Sequence, residues 1–567
     1  MTSFDPRQSK QPEGNNGLLL AVFVAVAAMM GWEYFNPPVA PAASPVAVSS
    51  TPSIAGVLPG SPEMQISNDV HDLAATPSAS SVERIALSNN VLTGGVALTG
   101  GRIDELLLSR YDIELKGEDR VSMFSSSGKR IHFFDAGWQS TAVPVPNGNT
   151  PWQAQGSSLT ASSPLVLKWN NDRGQEFLRT FSLQNDAYTV RVVDEVINRS
   201  DEDVQIGHYA QIHKADGLEK GGEGYTAEQS TFYNFIGPEA LIDGVKYESN
   251  YDDIKTDKKI KYTGEKGWLG IKSRYFLAAL IPDQQSENTW QFKYSNVAGR
   301  DFYSVIVQTP QASRVAANGG IYTKSYSLYI GPNKRNEMAK ESVGLEESVD
   351  YGWYQVISLP LYSMLMYFGN MFGNLGVAII LSTVVLKVLL LPLANKSYRS
   401  MARMKLITPE MEALKERLGD NREQMGLEMM KLYKKHKVNP ASGCWPMLVQ
   451  IPIFFAFYKV ILISFEFRHA PFVGWIHDLS ANDPFFVLPV LMGVSMFFQQ
   501  KLNPPVADPI QRKVMSALPV IFTVMFAMFP AGLVLYWVVN NVLSIAQQWY
   551  IMRRLEAQTS TTPKGKK

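Results

Sequence analysis

Long apolar runs occur near both ends of the sequence, whereas short alternating segments fill the region between them. The first run, from Gly17 to Phe35, has about 19 residues with Glu33 as its single charge, and about 20 apolar residues are needed to cross a bilayer. We interpret it as a transmembrane helix. A cleaved signal peptide is the alternative, because small residues follow at Ala40 to Ser44. The run exceeds the ~7 to 15 apolar residues of a typical signal peptide, which favours the uncleaved anchor.

The middle of the chain, from residue 81 to 340, alternates apolar and polar residues in short segments separated by Gly, Asn and Asp. Tyr188 to Ile197 is one such segment, and this period of two is typical of half-buried strands. The region predicts an all-β domain of the sandwich type. Its length of about 260 residues favours an enlarged or doubled sandwich. The Pro-, Ala- and Ser-rich residues 37–80 before it predict a tether without a core.

After Gly352 the apolar runs return and predict five more transmembrane helices, six in all. The run from Leu359 to Leu393 is too long for one straight span and contains Gly and Asn at 369–374. We therefore expect an interfacial segment and then a helix from about Leu375. Pro446 to Phe465 and Phe485 to Gln500 are the next two runs. The last run, Val514 to Ile551, is divided at 530–532, where Pro-Ala-Gly permits a tight reversal.

Between the second and third predicted spans lies a charged, Met-rich segment. Thr408-Pro409-Glu410 is typical of a helix start, and a second helix is expected from about Asn421 to His436. Methionine-rich surfaces adapt to varied partners, so this hairpin is a candidate binding element, with a solvated loop as the alternative. The predicted organisation is an anchor (1–36), a linker (37–80), a β-supersandwich domain (81–340), an amphipathic segment with the second span (341–393), a cytoplasmic helical hairpin (394–440), spans three to six (441–552) and a basic tail (553–567).

Basic residues in the short loops predict the orientation. Between Ala394 and Pro440 there are 11 Lys and Arg, whereas the loop from Arg468 to Asp483 contains Arg468 alone. Both termini are therefore expected in the cytoplasm and the β domain outside it, which in a two-membrane bacterium is the periplasm. The whole chain has 53 Lys plus Arg against 52 Asp plus Glu, so its net charge indicates no particular partner, and no DNA partner is expected.

Lys387 is the most informative polar residue, because it lies inside the second predicted span. An ionisable group there costs about 2.5 to 3.5 kcal/mol on insertion scales, so it normally faces a bundle interior or a wet cavity. Thr383 lies one helical turn earlier on the same face. Snorkelling is the alternative, because Lys387 is about six residues, ~9 Å, from the cytoplasmic end of the span.

Polar residues on other spans match this one. The third span has Gln450 and Tyr458, the fourth has Ser495 and Gln499, and the sixth has Tyr536, Asn540 and Gln547 at helical spacing. Any one of them is more typical of a hydrogen bond between helices, but their spread over four spans predicts a shared polar groove.

The sequence contains no GxxxxGK[ST], GxSxG or HExxH motif, and no enzyme, cofactor or metal is expected. His208 and His213 lack a third ligand, and we interpret them as surface or turn residues. The single cysteine, Cys444, is interpreted as a small apolar residue at a helix start.

Three segments of the C-terminal half are NPASGCWPMLVQIPIFFAFY at 439–458, WIHDLS at 475–480 and FPAGLVLYW at 529–537. They resemble the insertase core of the YidC/Oxa/Alb family. GWLGIKSRYF at 267–276 resembles the periplasmic domain of that family's Gram-negative members. The resemblance implies a five-helix core with a hydrophilic groove open to cytoplasm and lipid. Lys387 matches the groove cation, more commonly arginine in the family. Thr383, with Tyr536 or Trp537, matches positions implicated in substrate contact.

The resemblance also implies a function. The protein would be an insertase and chaperone that moves nascent membrane proteins into the inner membrane, alone or with the Sec translocon. The basic tail and hairpin predict contact with the ribosome, for which anionic lipid is the competing partner. A small-solute transporter or channel is the alternative function, but the sequence shows no internal repeat of the kind common in transporters.

Overall fold

The computed structural model describes residues 82–115, 117–126, 131–215, 235–297, 299–341, 343–418, 421–436, 438, 445–502 and 509–560. The predicted anchor and linker, Cys444 and the last seven residues of the tail lie outside the described residues. The described chain divides into two compact units, one ending at Asp350 and the other beginning at Tyr351.

The described part of the first unit is built of strands with two short α-helices and two 3-10 helices, Ala339–Glu341 and Leu345–Ser348. Its elements are β1 (Arg84–Ser88), β2 (Leu92–Ala97), β3 (Arg102–Asp112), β4 (Arg120–Phe124), β5 (Ile131–Gln139), β6 (Gln153–Gln155), β7 (Ser158–Leu159), β8 (Leu165–Asn170), β9 (Gln175–Leu183), β10 (Thr189–Asn198), β11 (Val204–Ala215), β12 (Gly237–Ile242), β13 (Val245–Glu248), α1 (Tyr251–Asp257), β14 (Lys259–Gly264), β15 (Gly267–Lys272), β16 (Phe276–Pro282), β17 (Asn288–Val297), β18 (Arg300–Gln308), β19 (Ser313–Val315), β20 (Gly320–Pro332) and α2 (Arg335–Met338).

These strands form two large sheets. One has 11 strands in the order β14-β17-β18-β11-β5-β3-β2-β1-β7, with β4 on β3 and β19 on β11. The other has 9 strands in the order β13-β12-β15-β16-β20-β10-β9-β8-β6. A hydrogen bond links the two sheets, in which Arg179 on β9 donates to the Ala136 carbonyl on β5 at 2.7 Å. The predicted sandwich-type β domain is confirmed.

Alternation along the strands explains the core. On β9 every second residue is buried, including Phe177, Phe181 and Leu183, and on β10 Val190 and Val192 are buried in the same way. Each such side chain contributes about 1.5–3 kcal/mol when it is fully buried. In contrast, β15 and β16 are buried at every residue, because both of their faces are covered.

The GWLGIKSRYF segment forms β15 and the start of β16, and it holds the end of the β unit. Trp268 Nε1 donates to the Gly344 carbonyl at 3.3 Å, and Lys272 Nζ donates to the Ser348 carbonyl. Burial lowers the pKa of Lys272. The segment therefore anchors residues 344–348, which immediately precede the second unit.

The second unit is helical. Its helices are α3 (Gln355–Phe372), α4 (Leu375–Leu406), α5 (Thr408–Leu418), α6 (Arg422–Lys435), α7 (Trp445–Ile463), α8 (Val487–Leu502), α9 (Pro509–Phe526) and α10 (Ala531–Ser560). Within the described ranges one helix, α4, is long and apolar enough to cross a membrane, and 449–463, 487–502 and 513–526 are shorter apolar helices.

Local sequence explains where α4 begins. Gly373 has a left-handed backbone, with φ of 66°, and ends α3. Asn374 then caps α4, since its side chain accepts the Val377 backbone N–H at 3.0 Å. At its other end α4 differs from the expected boundary at Leu393, because it continues through Pro392 to Leu406.

Candidate polar groove between α4, α7 and α10

A cavity lies between three helices of the second unit. Its space is about 540 Å³ including the open mouth. It is lined by Thr383, Leu386, Lys387, Leu390, Leu393, Ala394 and Tyr398 of α4, Val449, Gln450 and Ile453 of α7, and Tyr536 and Asn540 of α10. Five of the seven predicted site residues line it, and its remaining wall is mostly aliphatic. The cavity therefore presents a few polar groups within an apolar surface, as binding sites commonly do.

Lys387 is held at the α10 wall of the cavity. Its Nζ donates to Ser544 Oγ at 2.7 Å, and the Ser544 hydroxyl donates to the Asn540 carbonyl at 2.7 Å. An ammonium has three N–H donors, and Ser544 uses one of them. Groups that enter the cavity can therefore still accept hydrogen bonds from this side chain.

The other polar lining residues have local partners. Thr383 is buried and donates its hydroxyl to the Ile379 carbonyl of its own helix at 2.7 Å. Tyr536 stacks on Phe457, with ring centroids 4.1 Å apart, and hydrogen-bonds with Gln450. These contacts fix the walls of the cavity on α4, α7 and α10.

Tyr458 and Trp537 lie elsewhere, in an aromatic cluster. The Trp537 ring packs edge-on against Phe454 at 4.8 Å and lies 5.4 Å from Phe526. The Tyr458 ring lies 5.7 Å from Phe529. The structure does not bring these two residues to the cavity, because α7 and α10 also pack against each other through aromatic rings.

Two further predicted polar residues hydrogen-bond between helices. Ser495 Oγ on α8 accepts from Asn541 Nδ2 on α10 at 3.0 Å. Gln547 Nε2 on α10 donates to Asn395 Oδ1 on α4 at 3.0 Å. For Ser495 and Gln547 the alternative interpretation, a link between helices, describes the observed contacts.

Sequence reasoning missed Ser544. It lies four residues after Asn540 and eight after Tyr536, so helical spacing places all three on one face. This helical spacing is the sequence pattern that could have placed Ser544 beside the cavity. In an apolar helix a serine is weaker evidence for a polar site than a charged or amide side chain, because its hydroxyl can bond to the backbone of its own helix.

The interpretation of His208 and His213 as surface or turn residues is wrong. Both are buried on β11, where the other sheet covers His208 and the neighbouring strands cover His213. His208 Nε2 bonds to Asp194 Oδ2 at 2.7 Å, and His213 Nδ1 bonds to Ser304 Oγ at 2.6 Å. Burial lowers the pKa of His213 to about 3. No group of three or more His, Cys, Asp or Glu side chains in the described chain is arranged to hold a metal ion.

Comparison with known proteins identifies the family. Residues 84–364 match the family described as YidC periplasmic domain, and residues 367–558 match the 60Kd inner membrane protein family. The membrane protein insertase YidC of Magnetococcus marinus is 39% identical over 534 residues, which covers 92% of both chains. The chain belongs to the YidC family. The YidC insertase of Rickettsia bellii is 35% identical over 94% of this chain and 98% of its own.

A solved structure of a family member also matches. The crystal structure of an active YidC insertase with its first transmembrane domain resolved is 18% identical, covering 83% of this chain and 93% of its own, with a TM-score of 0.38. The family assignment rests on the sequence relatives. It makes the β unit a YidC periplasmic domain and the chain a membrane protein.

Proposed function

We propose that this protein inserts membrane proteins into the bacterial inner membrane and that the cavity between α4, α7 and α10 receives polar client segments. One observation carries the proposal: the Lys387 ammonium lies in a cavity with a mostly aliphatic wall and bonds to α10. The names of the YidC relatives support the same function.

The cavity lowers the cost of moving a polar segment out of water. An unpaired amide or hydroxyl costs roughly 2–7 kcal/mol in an apolar medium, and a charge costs more. Lys387, Gln450 and Asn540 offer such a segment hydrogen bonds and a positive charge. The apolar part of the client leaves sideways into lipid, which requires no chemical turnover.

We infer a topology of six transmembrane helices with both termini in the cytoplasm. The five-helix core consists of α4, α7, α8, α9 and α10, and the anchor near the N-terminus is the sixth. Single cysteines test it after Cys444 is replaced. A cysteine at Lys415 should be labelled only after the cells are opened, and one at Arg110 should be labelled from outside. Labelling of Lys415 in intact cells would contradict the topology.

The ribosome and anionic lipid are proposed partners of the basic cytoplasmic surface. Arg554 is exposed, and Arg553 stacks on Trp549 at 4.2 Å, near the end of α10. Lys and Arg bind RNA phosphate through a salt-dependent interaction. Replacing both arginines with Gln should reduce ribosome co-sedimentation at low salt. Unchanged co-sedimentation at low and moderate salt would exclude this end of α10 as the ribosome-binding site. Binding of the same variant to anionic vesicles tests the lipid partner.

The test of the function combines complementation of a depletion strain with protease protection of defined clients. Lys387→Glu should block clients that carry acidic segments across the membrane, because it reverses the field. Lys387→Ala should impair the same clients, and Lys387→Arg should support them. Clients with short neutral tails should be affected less.

The matched control is Lys501→Glu. Lys501 is exposed at the end of α8, where its Nζ lies 4.5 Å from the Phe497 ring centroid, and it does not line the cavity. Normal insertion by Lys387→Glu at normal protein levels would overturn the groove mechanism. Solute flux through proteoliposomes without any client would instead support the transporter alternative. Protein quantification after depletion identifies which clients need this chain alone and which need the Sec translocon too.

A further inference from the structure

We propose that Ser544 is the positioning residue for the groove cation, holding Lys387 at the α10 wall in the orientation that receives acidic client segments. The inference rests on the proposed function of the cavity and assigns a role to a residue outside its lining. It follows from the hydrogen bonds of one buried hydroxyl and from the position of Lys387 on the facing helix.

The hydroxyl of Ser544 is fixed as an acceptor toward Lys387. A serine hydroxyl has one proton and two lone pairs. The proton is donated to the Asn540 carbonyl at 2.7 Å, so the lone pairs remain for other donors. Lys387 Nζ donates to one of them at 2.7 Å. The Tyr398 hydroxyl is a further hydrogen-bond partner of Ser544.

Burial protects the hydrogen bonds of Ser544 from water. Ser544 is 2% exposed, so water does not replace its bonds. Its orientation is set by the backbone of α10, because the bond to the Asn540 carbonyl stays within one helical turn. The acceptor is therefore ready before a client arrives, and preorganised partners lose little entropy on binding.

Without Ser544 the Lys387 ammonium loses its acceptor on α10 and can move out of the cavity toward the headgroups. Lysine has a long flexible stem, and an ammonium in an apolar site moves toward headgroups when it can. Loss of the acceptor therefore removes the positive charge from the cavity while leaving the residue in the chain. A variant without this acceptor should therefore lose the insertion that depends on the positive charge of Lys387.

The first test compares clients. Ser544→Ala should lower insertion of a client with an acidic tail about ten- to a hundred-fold, as loss of one hydrogen bond to a charged group predicts, while a neutral-tail client changes less than about two-fold. Ser544→Thr keeps a hydroxyl that bonds to the preceding helical turn and should restore acidic-client insertion. Equal losses for both clients would overturn the proposal.

The matched control is Ser495→Ala. Ser495 is also a buried serine that accepts a hydrogen bond between helices, from Asn541 at 3.0 Å, but it has no contact with Lys387. A merely structural role for Ser544 predicts that the two alanine variants behave alike. The proposal predicts a preference against acidic clients in Ser544→Ala alone.

The second test is a double-mutant cycle on Lys387. If Ser544 acts through Lys387, Ser544→Ala should add nothing to the defect of Lys387→Ala, because neighbouring residues of one function are not additive. Full additivity would overturn the proposal. If Ser544→Ala does not accumulate, Ser544→Cys replaces it as a near-isosteric, weaker acceptor, compared again with Ser544→Thr.

The two proposals fail in different ways. Should Lys387→Ala insert the acidic client normally, the groove charge itself is dispensable and both fall. Should Lys387→Ala be defective while Ser544→Ala matches Ser495→Ala, the proposed function stands and the role of Ser544 falls.

Discussion

Arg179 on β9 and Asp194 on β10 form a fully buried ion pair across adjacent strands. Arg179 Nε lies 2.7 Å from Asp194 Oδ1, and its Nη2 lies 3.0 Å from Oδ2. The same guanidinium donates to the carbonyls of Gly101 and Ala136 at 2.9 and 2.7 Å. Its charge holds the pKa of Asp194 below the usual range, although desolvation opposes this. One side chain thus links the two sheets.

Removing the arginine should strongly destabilise the β unit. Arg179→Met leaves a buried carboxylate without its cation, and breaking such a pair costs about 3–5 kcal/mol. The measurement is hydrogen exchange of β9 and β10 peptides across a urea series, using the intact protein in detergent. Arg110→Met is the control, since the Arg110–Asp186 pair has 53% and 66% exposed side chains. Equal loss of protection in both variants would show that burial does not decide the effect.

Acid should weaken the β unit through the half-buried His132 and the buried His213. Burial lowers the pKa of His132 and His213 to about 3, whereas an unfolded histidine has a pKa near 6.5. Between these values the unfolded chain binds more protons, so stability falls as pH drops from about 6.5 toward 3. At pH 5 the loss is about 2 kcal/mol per histidine relative to pH 7.

The pH dependence can be assigned with one variant. His213→Gln removes one titrating group, so the difference in urea midpoint between pH 7 and pH 5 should shrink relative to the unchanged protein. Replacing His436, which follows α6 in the helical unit, should leave the pH dependence of the β unit as it was. A His213→Gln protein with the full pH dependence would mean that other groups cause it.

Local pattern predicted elements better than it predicted contacts. The alternating segment Tyr188 to Ile197 corresponds to β10, Thr189–Asn198, because period-two burial is a local signal. Leu375 begins α4 because Asn374 caps it, and Ala531 begins α10 directly after Pro530. Turn and cap chemistry is local in the same sense.

What the pattern missed depends on partners distant in sequence. Ser544 and Lys387 are 157 residues apart, so no spacing rule pairs them. His208 and His213 are five residues apart on β11, so their side chains lie on opposite faces of the strand. His208 is buried against β10 of the other sheet, whereas His213 is buried against the neighbouring strands β5 and β18. Helix ends are also uncertain where no cap occurs, and α4 passes Pro392 because a helix tolerates one missing N–H when neighbours pack well.

Gly493 should be required for the close packing of α8 and α9. A Cβ built at Gly493 would overlap Thr523 Oγ1 and would lie 3.3 Å from the Pro519 carbonyl oxygen on α9. Gly493→Leu should therefore force the helices apart at a cost of about 1–3 kcal/mol, as overpacking does. The thermal midpoint in detergent measures this cost.

Two companions make the packing test specific. Thr523→Ala removes the overlapping hydroxyl and should recover part of the loss when it is combined with Gly493→Leu. Gly426→Leu is the control, because a Cβ at Gly426 meets no atom within 4 Å. If the combined variant is as unstable as the two single losses added together, steric overlap at Thr523 is not the cause.

The bilayer should be thinner beside α8 than beside α4. Helix α8 has 16 residues, which at ~1.5 Å per residue is about 24 Å against a hydrocarbon core of ~30 Å, whereas α4 has 32 residues. A span too short for the core is accommodated by thinning, at a fraction of a kcal/mol per Å. Exposed Leu491 and Phe498 on α8 are suitable spin-label sites, with exposed Val388 on α4 for comparison. Depth profiles of labelled lipids beside α8 should show a hydrocarbon layer several Å thinner than beside α4.

A thinner layer shortens the polar passage of any client that leaves the groove past α8, so lengthening α8 by one turn of leucines should slow insertion of acidic clients. Equal thickness beside the two helices would rule this out.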